Sequence, residues 1–257
     1  MFISPNRTKQ KLRQNQPVYG VIATSDDPQL AELCGLAGFD YYLLDAEHGL
    51  ISPTQAVNVI RACERTNITP LVRIGPKDPK LVLQYLDAGM MGVMMPGLES
   101  VAEVQMLVEA IKYPPQGKRG VGLSRASGYM AYSHEAPAYI RLANEETMVI
   151  IQFEDDRLLA ELPALCAVPG VDACMIGPRD LSLAMGFPDG PQHPEVQAVI
   201  DQAIALMHKA NVSAGMTAGT RADAERQVAR GAKMILAASQ WLWLAAAKEF
   251  LPIEERD

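Results

Sequence analysis

The sequence predicts an α/β protein whose parallel strands close into a (β/α)8 barrel, and three observations carry that expectation. Short β-rich apolar runs alternate with longer amphipathic ones from end to end. The short runs number eight, which suits a closed sheet better than an open one. The length, 257 residues, is close to what one such barrel needs, so residues 1–257 read as a single domain.

In chain order the strands are expected at residues 19–23, 41–45, 70–74, 92–95, 148–153, 173–177, 213–216 and 234–238. Most are apolar throughout and turn polar only where they end, as buried parallel strands do. Amphipathic helices are expected at 53–65, 79–88, 101–111, 158–166, 195–209 and 221–230. No GxGxxG follows the first strand, which counts against a dinucleotide-binding sheet. Residues 1–16 are an N-terminal extension. The longest interruption, residues 113–136, carries Pro, Gly and Ser and reads as a functional loop on the strand-end side of the barrel. Residues 240–257 read as a C-terminal helix and tail. There Trp241, Leu242, Trp243 and Leu244 put apolar bulk on every side. A broad face buried on the barrel or burial against another subunit would each account for it.

Composition narrows the function. A formal charge of −7 argues against a nucleic-acid partner, because a phosphate backbone wants a basic face. No apolar stretch reaches the roughly 20 residues of a membrane span, and the first residues lack the apolar core of a signal peptide. Cys34, Cys63, Cys166 and Cys174 sit in apolar segments without C-x-x-C spacing, so buried reduced thiols are expected. Together these features suggest a soluble cytoplasmic protein.

The strand ends carry the chemistry. The second strand runs into Asp45-Ala46-Glu47-His48, the third ends on Arg73, the fifth on Gln152-Phe153-Glu154, and the sixth on Gly177-Pro178-Arg179-Asp180. One barrel mouth would gather all of them. Glu154 and Asp180 make the best metal pair; an ordinary helix N-cap would explain Asp180 but not Glu154 behind a buried run. Two carboxylates without Cys or a second His form an oxygen-rich site for Mg²⁺ or Mn²⁺, with Co²⁺ open. His48, close in sequence to Asp45 and Glu47, is the natural base. His134, His193 and His208 are expected to be structural. Arg73 either pairs with Glu47 or steadies a developing oxyanion.

Five segments resemble the HpcH/HpaI aldolase family, the class II metal-dependent pyruvate aldolases. They are Phe39-Asp-Tyr-Tyr-Leu-Leu-Asp-Ala-Glu-His48, Pro70-Leu-Val-Arg73, Tyr113-Pro-Pro-Gln-Gly-Lys-Arg-Gly120, Gln152-Phe153-Glu154 and Gly170-Val-Asp-Ala-Cys-Met-Ile-Gly-Pro-Arg-Asp-Leu-Ser182. The resemblance implies a TIM barrel, a homo-hexamer built as a dimer of trimers, and a last helix exchanged between subunits. It implies reversible cleavage of a 4-hydroxy-2-oxo acid to pyruvate and an aldehyde. By position, Glu154 and Asp180 become metal ligands, His48 with Asp45 the base dyad, Arg73 the enolate-stabilising cation, and Glu47 the holder of a water on the metal. Gln152, Gly177, Pro178 and the backbone N–H groups of Arg179 and Asp180 meet the oxo acid, and Ser124 and Arg125 of the 122–128 loop face the substrate. This chain departs from the family's pattern at Phe153, Arg179 and Gln240. Arg179 either adds a cation at the mouth that favours acidic aldehydes or faces solvent. Two other functions share the barrel: a CoA-thioester lyase of the citrate lyase β or malyl-CoA lyase type, and a non-catalytic oxo-acid-binding barrel. The identity of the aldehyde is not legible.

Overall fold

The computed structural model describes residues 3–131 and 136–251, so His134 lies outside the described residues. Eight parallel strands pair in chain order and the last closes on the first. They are β1 (Val18–Ala23), β2 (Tyr41–Asp45), β3 (Thr69–Arg73), β4 (Gly92–Met95), β5 (Met148–Phe153), β6 (Ala173–Ile176), β7 (Ser213–Thr217) and β8 (Met234–Ala238).

Alternation along each strand splits the apolar residues into two cores. Val18, Tyr41, Leu43, Leu71, Met94, Met148, Ile150, Met175 and Leu236 fill the lumen. Val21, Tyr42, Leu44, Val72, Val93, Val149, Ile151 and Cys174 face the helical layer. Full burial of each large side chain stabilises the fold by roughly 1.5–3 kcal/mol. Tyr41 spans the lumen, its hydroxyl donating to the Ile235 carbonyl at 2.8 Å. A Cβ at Gly20 would lie 2.3 Å from the Tyr41 ring, so that ring requires a glycine opposite.

Local signals set the helices α2 (Pro28–Leu36), α3 (Pro53–Thr66), α4 (Pro79–Ala88), α5 (Val101–Ile111), α9 (Pro194–Lys209) and α10 (Arg221–Arg230). Asp27, Ser52, Asp78, Ser100 and Thr220 cap five of these starts, three of them followed by a first-turn proline. Asn67, Gly89 and Gly231 end α3, α4 and α10 in the left-handed conformation. The remaining helices are α1 (Arg7–Arg13), α6 (Ala136–Glu146), α7 (Leu162–Cys166), α8 (Pro178–Ala184) and α11 (Ser239–Phe250). Of these, α1, α2, α6 and α8 go beyond the helices expected from periodicity.

Within the N-terminal extension, α1 does more than precede the barrel: it closes the end where the strands begin. Leu12 enters the lumen core, Thr8 Oγ1 donates to Thr69 Oγ1 at 2.9 Å, and Lys9 Nζ reaches the Thr147 carbonyl at 2.7 Å and Asp172 Oδ1 at 3.0 Å. Lys112 Nζ donates to the same Thr147 carbonyl at 2.7 Å.

The 113–136 interruption corrects an expectation. It leaves the C-terminal end of α5, which in this architecture lies at the strand-start end. Its residues accordingly contact the far ends of α3 and α4: Arg119 Nη2 meets Asp87 Oδ1 at 2.9 Å, and Arg125 pairs with Glu64. The described part of the loop, residues 113–131, is therefore opposite the mouth, not beside it. Among the described residues, no helix is long and apolar enough to cross a membrane, and all four cysteines are buried free thiols.

Candidate active site

The period-two rule that fills the lumen also builds the site. On β2 the inward series is Tyr41, Leu43, Asp45; on β3 it is Leu71, Arg73; on β5 it is Met148, Ile150, Gln152 and, one step past the strand, Glu154. The apolar members form the lumen core and the polar ones its last layer, at the C-terminal mouth.

Asp45 and Arg73 are register partners on adjacent strands. Arg73 Nε donates to Asp45 Oδ1 at 3.0 Å and Nη2 to Oδ2 at 2.7 Å, a two-pronged pair. Glu47 Oε2 lies 3.2 Å from Arg73 Nε, so the guanidinium also takes the structural partner that was expected as one alternative. Burial would raise the Asp45 carboxyl, but the hydrogen bonds and charge of Arg73 outweigh it and hold Asp45 below the usual carboxylate range.

The expected Asp45–His48 dyad is not formed. Asp45 Oδ1 accepts the backbone N–H groups of Glu47 at 3.2 Å and His48 at 3.3 Å, which shapes the turn, while its carboxylate is committed to Arg73. The imidazole points outward with 68% of its side chain exposed, and Nε2 is 3.9 Å from Glu47 Oε2. Sequence proximity put an acid near the histidine; strand alternation gave that acid to another cation.

Across the mouth, Gln152 Nε2 donates to Glu154 Oε1 at 2.5 Å. Burial pushes the Glu154 carboxyl up to about 7, and the negative charges of Asp180 and Glu47 push the same way against the opposing pull of Arg73. Gln152 Oε1 is buried and has no hydrogen-bond partner. An acid short of positive charge, a second acid close enough to repel it and an unsatisfied amide oxygen suit a hard divalent cation. Among the described residues no three His, Cys, Asp or Glu side chains cluster as a metal site. Asp180 stands in the first turn of α8, behind Pro178 and with Gly177 at the N-cap.

Ser124 and Arg125, expected to face the substrate, are not brought to this chain's own mouth. Ser124 bonds Ser127, and Arg125 bonds Glu64 and the Ala88 carbonyl at the opposite end of the barrel. Arg179 is exposed, and its guanidinium lies over Gly190, where a Cβ would come within 2.9 Å of Nη1. His193 stacks on Phe187 with ring centroids 3.7 Å apart, and His208 bonds the Gly231 carbonyl at 2.9 Å, both structural positions. Gln240 Nε2 bonds Thr24 Oγ1 at 3.0 Å. One residue escaped the sequence reading: a Cβ at Gly75 would lie 3.1 Å from Glu47 Cγ, and the parity of 71, 73 and 75 could have pointed to it.

The HpcH/HpaI aldolase/citrate lyase family model matches residues 19–241. A hydroxypyruvate/pyruvate aldolase of Pseudomonas aeruginosa is 37% identical, over 91% of this chain and 87% of its own length. A 4-hydroxy-2-oxo-heptane-1,7-dioate aldolase of Shigella sonnei is 35% identical, over 96% of this chain and 93% of its own. The crystal structure of an HpcH/HpaI aldolase/citrate lyase family protein from Burkholderia cenocepacia superposes with a TM-score of 0.87 at 30% identity, covering 95% of this chain and 97% of that one. With the barrel and its polar mouth in place, these matches show that the chain belongs to the HpcH/HpaI aldolase/citrate lyase family.

Proposed function

We propose that this chain is a class II metal-dependent aldolase that reversibly cleaves a 4-hydroxy-2-oxo acid to pyruvate and an aldehyde. The observation that carries the reading is the pairing, across one mouth, of the cation-poor Glu154–Gln152–Asp180 side with the Arg73 guanidinium. Relatives named as pyruvate and hydroxy-oxo-acid aldolases support the reaction class.

A divalent ion (Mg²⁺, Mn²⁺ or Co²⁺) held there supplies Lewis acidity toward the 2-oxo group of the substrate. Glu154 and Asp180 hold it, and Gln152 fixes the Glu154 carboxylate from one side. The oxo acid lies against the Gly177-Pro178-Arg179-Asp180 turn. Arg73, kept rigid by Asp45 and Glu47, faces the negative charge that develops on the 2-oxo oxygen as the carbon–carbon bond breaks. His48 takes the 4-hydroxyl proton in cleavage and the pyruvate methyl proton in condensation. Its exposure suits a group that must reach substrate, and Glu47 is the carboxylate beside it.

The same reading takes residues 1–257 as one domain acting in the cytoplasm. It also takes α11 as the oligomerisation element, exchanged between subunits of a hexamer. Trp243 and Phe250 on that helix are 70% and 86% exposed in the single chain, which favours a covering partner.

The test is metal removal. Protein stripped by a strong chelator, and confirmed metal-free by mass spectrometry, should release no pyruvate from a 4-hydroxy-2-oxo acid until Mn²⁺ or Mg²⁺ returns, as followed with lactate dehydrogenase and NADH. Release at full speed without metal overturns the proposal. Cleavage of malyl-CoA in a parallel arm, with none of the free acid, would assign the thioester chemistry instead.

A further inference from the structure

We infer that Gly177 is a positioning residue: the space left by its missing side chain is the berth of the Glu154 carboxylate, and this berth sets the site's affinity for a divalent ion. The inference rests on the metal reading above and adds to it a residue whose contribution is an absence.

The backbone does not demand glycine here. Gly177 has φ −94° and ψ 86°, on the side of the map open to other residues. Space does demand it. A Cβ built on Gly177 would lie 2.6 Å from Glu154 Oε1, 2.8 Å from Cγ and 3.1 Å from Cδ. Such contacts are far inside van der Waals range, so one party has to move. The backbone at Gly177 is poorly placed to do so. Its N–H donates to the Phe153 carbonyl at 3.0 Å, its carbonyl accepts the Leu181 N–H at 2.9 Å, and Pro178 follows as the first residue of α8. The carboxylate would have to leave instead, and in leaving it loses the Gln152 hydrogen bond at 2.5 Å. Asp180, three residues on, stands in the first turn of α8, so the two acids would then part.

The test is a Mn²⁺ titration, reading free Mn²⁺ by electron paramagnetic resonance, so that it is independent of turnover. Gly177→Ala should weaken Mn²⁺ binding by about 10–100-fold, as loss of a ligand-orienting contact does. Shortening the acid should relieve the clash, so Glu154→Asp should cost less affinity in the Gly177→Ala background than in the wild type. Unchanged Mn²⁺ binding by Gly177→Ala, or full additivity of the two substitutions, overturns the inference while leaving the metal reading intact. A wild-type protein that binds neither Mn²⁺ nor Mg²⁺ overturns both. Should Gly177→Ala fail to fold, Glu154→Ala decides the matter. With the carboxylate gone the new methyl has room, so Glu154→Ala/Gly177→Ala should melt with Glu154→Ala, and a lower melting temperature overturns the berth.

Discussion

Asp45 and Arg73 stand opposite each other on β2 and β3, and their side chains close a two-pronged ion pair of 3.0 and 2.7 Å at the inner rim of the barrel. The pair has two consequences. It fixes the guanidinium at the barrel mouth, and it commits the Asp45 carboxylate to Arg73 and not to the His48 imidazole.

Asp45→Asn should therefore act through Arg73. It should lower kcat about 100-fold, the scale expected when a charge-stabilising donor is misplaced, and lower the melting temperature as well. The pH dependence carries a sign. The Asp45 carboxyl is held low in the folded protein, so its stabilisation is present above the unfolded pKa of about 3.9 and is lost as pH falls through the folded value. Acid melts should show the wild type losing more of its advantage over Asp45→Asn below about pH 4.

His48→Ala should separate chemistry from stability. The side chain is 68% exposed and packs on little, so the melting temperature should stay within about a degree, as for most surface substitutions. Turnover should fall by roughly 10²–10⁴, the usual worth of a general base. A loss of less than tenfold in the lactate dehydrogenase assay would move the proton transfer to another group.

Metal binding should release protons from Glu154. Without an ion its carboxyl titrates at about 7, held there by burial and by Asp180 and Glu47. The raised value means the folded protein binds more protons than the unfolded chain between roughly pH 4.3 and 7, so metal-free stability falls as pH rises through that window. A divalent ion requires the carboxylate. Calorimetric Mn²⁺ titrations near pH 6 in buffers of different ionisation enthalpy should show proton release, and Glu154→Gln should abolish it.

Lys112 gives a prediction of opposite slope at the other end of the barrel. Burial, with the neighbouring Lys9 ammonium, brings its pKa down to about 7. The folded protein then binds fewer protons than the unfolded chain between pH 7 and about 10.4, so stability should rise with pH across that range. Lys112→Met should flatten this rise. It should also be less stable overall, because the Asn144 and Thr147 carbonyls lose a donor.

The barrel was legible because its strands are apolar runs of regular spacing, and all eight lie where periodicity puts them. The helices left unread are those whose burial is local. In α1 only Thr8, Lys9 and Leu12 are buried, and in α2 only Ala31 and Cys34. Site residues on strands were legible for the same reason as the strands: parity aims Asp45, Arg73, Gln152 and Glu154 inward. Residues on connections were not. Which way His48 turns depends on the chain path after β2 ends, and residue type does not encode that; the end that receives Ser124 and Arg125 follows from their place after α5, so element order outweighs the Gly, Pro and Ser content that suggested a mouth loop.

The inward aim of Glu154 rests on an even count of residues from Met148. Inserting one residue between them would swing the acid into the helical layer and leave Phe153 facing the mouth. Inserting two would restore the aim but lift the carboxylate by a rung, about 6.6 Å at the usual strand rise. The location of the Glu154 carboxylate is thus stored as arithmetic along β5, and indels there should be far less tolerated than substitutions of equal bulk.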